Sequence, residues 1–469
     1  MDAAQIRRLG PMLDRFLAHF HDCFSRRPTR EHLAAYVRGL LSDLPRKSAE
    51  PIALDQGVAV RTLQEFLGAH RWDHGRLRDR LQQLVAGDHA CDHSVGILDD
   101  SGCPKKGDKT PGVQRQYCGA TGKVDNCVIT VHLGYAAGDL HCLLDSELYL
   151  PRDWDADRRR CRRAGIPDER TYRPKWQIAL ELYDHAVANG VRFAWLTCDE
   201  GYGGKPGLLS GLRQRRQRYV AEVPRTLSGW LELPALTDVG RWAEEPAQAV
   251  EQLLASDPRL ADQPWVAYRV KEGHKGPMVW EVKHAMLFPK REDGDPGWPL
   301  HLLVARYALD RVAVKYFVSN APPEASVETL LLVAFSRWRI ERCFEDGKTE
   351  LGFDHFEGRS YTGLIRHQRL VALAHLFCAR VCQRWGEKPV RADGVPGADG
   401  LECLGAVVGN ATVGAGGAAG ESRREHPTGA GAQCRGAALP YERDAAEVAR
   451  GRHQTHLAAM LPVEFKLAL

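Results

Sequence analysis

Residues 95–100 read VGILDD: small and apolar residues closing on the acids Asp99 and Asp100, the pattern of a short buried strand that delivers carboxylates at its end. A second such stretch, RFAWLTCD at 192–199, closes on Asp199. Between them lie CVITVHLGYAA (127–137) and LHCLLDSELYL (140–150), rich in β-branched or alternating apolar residues and separated by the turn Gly138-Asp139. Residues 174–189 have the spacing of an amphipathic helix, closed by Gly190. After Asp199 a basic helix over 208–216 leads into the strand RYVAEVP.

Strand, strand, strand, helix, strand, helix, strand is the order of a ribonuclease-H-like core, so the sequence predicts an α/β fold. Residues 1–90 read as a helical domain that precedes this core. Its stretch 30–44 repeats Leu33, Tyr36, Val37 and Leu40 at helical spacing, and IALDQGVAVRTLQEFL (52–67) reads as two short helices about a turn at Gly57. A helix-turn-helix of that form turns Arg61, Thr62, Gln64 and Glu65 outward, toward a DNA groove. Residues 91–223 form the first part of the catalytic core. Residues 224–322, with WVAYRVK, VWEVKHAMLF, HLLVARYA and VKYFVSN, read as a mostly β insertion, and 323–386 as the returning helices, over 327–350 and 365–385. The last part, 387–469, is Gly/Ala-rich with few apolar residues to build a core, the composition of a disordered tail.

The strands ending at Asp99 and Asp199 are neighbours in such a core, so their carboxylates converge. Hard oxygen ligands at strand ends suit Mg²⁺, and a pair of such ions serves phosphodiester chemistry. A third acid comes from SRWRIERCFEDGKTELG (336–352). Arg337 lies four residues before Glu341 and Lys348 seven after it, which puts all three on one helical face.

These residues carry a resemblance. The stretches GILDDSGCPKKG, RQYCGATGKVDNC, LYLPRDW with AGIP downstream, TCDEGYG and SRWRIERCFEDGKTELGFDHFEGR resemble the DDE-type insertion-sequence transposases that have a β insertion between second aspartate and glutamate. The resemblance covers roughly residues 30–375. It implies cleavage of double-stranded DNA at transposon ends and joining of the 3′-hydroxyls to target DNA, by a homodimer on DNA. It also implies Asp99, Asp199 and Glu341 as catalytic, metal-holding residues for two Mg²⁺ ions, with Mn²⁺ able to substitute. Asp99 fits the family's Asp-x-Ser/Thr pattern better than Asp100, the alternative first ligand. Arg337 and Lys348 belong to a tyrosine, arginine, glutamate and lysine signature and would contact phosphates; the tyrosine position is Ala334 here.

Other features bear less weight. Lys105 and Lys106 lie in a basic loop, PKKGDK, just past the first acid and placed to touch phosphate; Arg61 and Gln64 are the further DNA-contact candidates. RRRCRR (158–163) and RQRRQR (213–218) are solvated faces or phosphate-binding surfaces. The glycines after Asp199 lack the Lys-Ser/Thr of a phosphate loop and read as a tight turn. His355, Arg359 and His367 fall in the resembling stretch, and Trp195 and Trp338 read as core. The 13 cysteines are scattered without a C-x-x-C pair, which predicts reduced, buried thiols rather than zinc. A net charge of +4 decides little. No run of some 18 apolar residues and no signal-peptide core occurs, so the expectation is a cytoplasmic protein without a membrane span.

Overall fold

The computed structural model describes residues 3–237, 242–273 and 276–385; the Gly/Ala-rich stretch 387–469 lies outside the described residues. Five helices come first: α1 (Ala3–Ala18), α2 (Arg27–Leu40), α3 (Ala49–Asp55), α4 (Val60–Gly68) and α5 (His74–Asp88). Leu33, Tyr36, Val37 and Leu40 form the buried stripe of α2, which starts and stops a few residues earlier than its periodicity suggests, with Pro28 in its first turn. Gly57 turns the chain between α3 and α4 at φ +63°, where a side chain is strained, and Val58 N donates to Ala53 O at 2.9 Å.

The sheet begins with β1 (Val95–Pro104), β2 (Gln114–Cys118), β3 (Lys123–Ala137) and β4 (Leu140–Leu148). β1 runs on past the acids, so Asp99 and Asp100 lie within the strand rather than at its end. The reason is that Ser101, Gly102 and Cys103 are buried too, and antiparallel pairing with β3 continues to Pro104↔Cys127. Residues 127–137 of β3 are buried without a break, as expected of a strand covered on both faces. Helices α6 (Arg152–Ala156), α7 (Arg158–Arg163) and α8 (Lys175–Ala188) follow, then β5 (Trp195–Cys198), α9 (Glu200–Gly203), α10 (Pro206–Gln214) and β6 (Tyr219–Val223). β5 is parallel to β1, and β6 to β5.

Strands β7 (Ser228–Trp230) and β8 (Gln248–Ala249) precede two short helices that periodicity within a β-rich stretch concealed, α11 (Val250–Ser256) and α12 (Pro258–Ala261). Then come β9 (Val266–Gly273), β10 (Gly276–Pro289), β11 (Leu300–Tyr307) and β12 (Asp310–Ser319). β12 pairs antiparallel with β6, so these strands extend one mixed sheet of 12 strands in the order β2-β3-β1-β5-β6-β12-β11-β10-β7-β8, with β4 on β3 and β9 on β10. The chain ends its described part with α13 (Val327–Phe335), α14 (Trp338–Thr349) and α15 (Tyr361–Trp385). The single helix expected over 327–350 is divided at Ser336–Arg337, where Arg339 N and Ile340 N bond three residues back instead of four.

Alternate residues of β3 sort the helices onto two faces. His132 meets Phe344 and Phe353, and a Cβ on Gly134 would stand 3.2 Å from Ile340, so α14 covers that side. Tyr135 meets Phe193 on the other side, where Tyr183 of α8 also packs on Phe193. The N-terminal helices share this core through α15. Arg366 is buried and donates to the carbonyls of Phe66, Leu67 and Trp72 at 3.2, 3.1 and 3.0 Å, its guanidinium 4.4 Å from the Trp72 ring centroid. Among the described residues no helix is long and apolar enough to cross a membrane.

Candidate active site

The register of three parallel strands assembles the site. Leu98 of β1 is level with Cys198 of β5, so Asp99 and Asp199 are the next residues on adjacent strands, roughly 5 Å apart at their backbones. Cys198 is in turn level with Ala221 of β6, which brings Glu222 into the same row. Here β1 and β5 part company: parallel pairing stops at Leu98↔Cys198, while β1 stays paired to β3 on its far side. A cleft at the carboxyl ends of parallel strands is where open α/β sheets place ligands.

Asp199 is held by its own turn. Its carboxylate accepts from Tyr202 N at 3.1 Å and caps α9. That turn is tight: a Cβ on Gly203 would lie 2.0 Å from the Glu222 carbonyl oxygen. Gly203→Ala is therefore expected to cost about 1–3 kcal/mol and to shift Asp199 against β6. A lowered thermal midpoint together with weakened cleavage would show it; a fully stable, fully active variant would contradict it.

Strand alternation separates the two neighbouring acids. Asp100 accepts from Lys175 Nζ at 2.9 Å and from Tyr202 Oη at 3.4 Å. Asp99 Oδ2 instead meets Arg337 at 3.3 Å, and the other arm of the same guanidinium donates to Glu341 at 2.5 Å. One planar fork thus ties the third acid to the first, and Arg337 and Glu341 meet because they are four apart on one helical face. Asp99 is 14% exposed and Glu341 53% exposed, so the row runs from the interior outward.

The electrostatics show an excess of negative charge. Burial, then the charge of Asp199, push the Asp99 carboxyl up to about 8, against the pull of Arg337. Burial likewise raises Asp199 above the ordinary carboxylate range. Arg337 is held protonated despite its burial by Glu341, Asp99 and Glu222. Carboxylates that cannot all ionise beside a single guanidinium are a donor set that a divalent cation fits, being hard oxygens on rigid strands.

The other candidate residues fall in different places. Lys348 on α14 directs its ammonium at Gly102 O, 3.4 Å away, beside the row. Lys105 is committed to the fold rather than to solvent: it donates to Asp354 O and Phe356 O, both at 2.7 Å, while Lys106 and Lys109 of that loop are exposed cations. Arg61 and Gln64 stand exposed on α4, with Arg61 on Glu65 at 2.7 Å; no contact among the described residues joins them to the row. His367 donates from Nε2 to Gly352 O and accepts at Nδ1 from Tyr36 Oη, at 2.9 Å each, and is a packing histidine. His355 accepts from Lys47 N. In the basic clusters, Arg158 binds three carbonyls and Arg215 forks onto Asp184, while Arg159, Arg162 and Arg163 of the first cluster and Arg213, Arg216 and Arg218 of the second are exposed.

Glu222 is the residue that sequence reasoning missed. It pairs with Lys315 of β12 at 2.5 Å and is 14% exposed. An acid inside the apolar strand RYVAEVP was the available signal, since an ionised side chain seldom sits among buried neighbours without a partner or a task.

Residues 19–277 match a family model described as DDE superfamily endonuclease. The matched residues include Asp99, Asp199 and Glu222 and end before Glu341. A protein named "Probable transposase for insertion sequence element IS701", from Microchaete diplosiphon, is 32% identical over 189 residues. That alignment takes in 39% of this chain and 46% of that protein, so less than half of the relative's length is spanned.

Proposed function

Because the chain belongs to the DDE superfamily of endonucleases, whose model spans more than half of it, we propose that it is a transposase. In this reading it cuts double-stranded DNA at the ends of an insertion sequence and joins the freed 3′-hydroxyls to target DNA. The observation that carries it is the level placement of Asp99 and Asp199 on adjacent parallel strands, with Glu341 tied to Asp99 through Arg337. The resemblance of the curated relative, named a transposase, supports it further.

The sheet order β4-β3-β1-β5-β6, with β5 and β6 parallel to β1, supports a ribonuclease-H-like core, and β7 to β12 are the insertion between second aspartate and glutamate. Asp99, Asp199 and Glu341 would hold the divalent ions, Mg²⁺ or Mn²⁺ in its place. Bound there, such ions neutralise the phosphodiester and favour ionisation of the attacking oxygen. Asp99 is preferred to Asp100, whose charge Lys175 already answers. Arg337 orients Glu341 and offsets its charge; Lys348 stands on the same helix beside β1, where a DNA phosphate would approach. Lys106 and the exposed Arg61 and Gln64 of the helix pair α3–α4 would contact DNA farther out. Pairing two transposon ends calls for a homodimer on DNA.

Labelled DNA from the element's own ends, incubated with the full chain and Mg²⁺ or Mn²⁺, tests the proposal. Metal-dependent cleavage followed by joining of a pre-cut 3′ end to a second duplex is the expected result. Cutting without joining would make the protein a nuclease; binding without either would make it a DNA-binding protein of transposase descent.

A further inference from the structure

On the face of α14 turned away from the carboxylate row, three side chains from distant parts of the chain converge. They are His141 at the start of β4, Cys343 on α14 and His375 on α15, and one ligand atom from each lies within 4.8 Å of the others. We propose that these three residues form a zinc site that pins the glutamate-bearing helix α14 to β4 and α15.

Hydrogen bonding is the first reason. Buried polar atoms are nearly always paired, yet neither ring nitrogen of His375 has a hydrogen-bond partner, and neither does Nδ1 of His141. His375 and Cys343 are each 1% exposed, so water does not satisfy them. One unpaired imidazole nitrogen from each ring, converging with a thiol, is what a single borderline-soft cation would satisfy together.

The donor set selects the metal. Two imidazoles and a thiolate suit Zn²⁺, whereas Mg²⁺ takes oxygens, so this site and the carboxylate row on the same helix would not compete for one ion. Ligand atoms around a tetrahedral zinc sit about 3.5 Å apart, and side-chain rotation closes the remaining gap. On binding, the Cys343 thiol forms the sulfur–metal bond and gives up its proton to solvent. Asp346 completes the surroundings. Its Oδ1 is held by Arg342 at 2.8 Å, and Oδ2, without a hydrogen-bond partner, stands 3.9 Å from Nε2 of His375. A carboxylate behind a histidine commonly fixes the ring of a metal ligand. His141 is only half-buried and gives an entry path.

Spacing could not reveal this site, because its ligands lie 202 and 32 residues apart on three elements. The first test is metal analysis of the full chain after zinc loading and gel filtration, with Mg²⁺ in excess to hold the carboxylate row. One zinc per chain is expected in the wild type and in Asp199→Ala, and its loss in His375→Gln and in Cys343→Ser. Zinc that leaves with Asp199→Ala but stays in His375→Gln would overturn the proposal. Cobalt loading of the wild type gives a reading that no misfolded variant can confuse: a thiolate-to-cobalt charge-transfer band is expected in the near ultraviolet. Bound cobalt without that band, or no binding of either metal, would overturn it equally. Zinc should also raise the thermal midpoint of the metal-free chain by roughly 5 °C or more.

Discussion

Asp199→Asn is expected to lower metal-dependent DNA cleavage by at least about a thousandfold, equivalent to roughly 4 kcal/mol of transition-state stabilisation, while leaving the fold intact. Asparagine is the informative replacement because its side-chain oxygen can still accept from Tyr202 N and cap α9. What it removes is the charge. Since burial and neighbouring acids already oppose ionisation of Asp199, the neutral variant should be at least as stable as the wild type. Asp99→Asn and Glu341→Gln should lose activity to a similar degree. Asp100→Asn should lose far less, because its carboxylate answers Lys175 on the other side of the strand. Initial rates on end-labelled DNA, with thermal midpoints measured alongside, decide the matter. Near-wild-type cleavage by Asp199→Asn would remove the carboxylate row from the chemistry.

Metal affinity should climb steeply with pH, by up to about tenfold per unit below pH 8, because a cation must displace the proton that Asp99 holds. The direction of the stability effect follows from linkage. The folded-state pKa of about 8 lies above the 3.8 of an unperturbed aspartate, so between these values the folded chain keeps a proton that the unfolded chain has lost. The metal-free protein is therefore destabilised as pH rises through this window, and the full stability belongs to the acid side of it. Asp199, raised in the same direction, adds to the trend. Mg²⁺ should offset the loss, giving its largest thermal shift near the alkaline end. Metal titrations followed by thermal unfolding at about pH 6, 7 and 8 test both halves; an affinity that stays flat across them would mean that Asp99 is not a ligand.

Much of this architecture is legible in the sequence for local reasons. Residues 127–137 are mostly apolar and buried without interruption because helices cover both faces of β3, and Gly138-Asp139 turns the chain between two antiparallel strands whose register shifts once, between Leu133 and Gly134. The stripe of α2 and the shared face of Arg337 and Glu341 follow from helical period alone. Element ends were harder to read. The run of β1 past Asp100 depends on its partner β3, and the break between α13 and α14 falls in a stretch with no proline or glycine to announce it.

The sequence by itself determined the α/β class and the three acids of interest, because strand and helix periods and motif residues are short-range properties of the chain. Only the tertiary structure decided which groups share a field. Register between β1, β5 and β6 put Glu222 level with Asp199, turned Asp100 to Lys175 and Asp99 to Arg337, and buried Lys105 against two carbonyls. It also gathered His141, Cys343 and His375. Pairing between distant strands and helices sets distances, burial and charge, and no spacing along the chain encodes them.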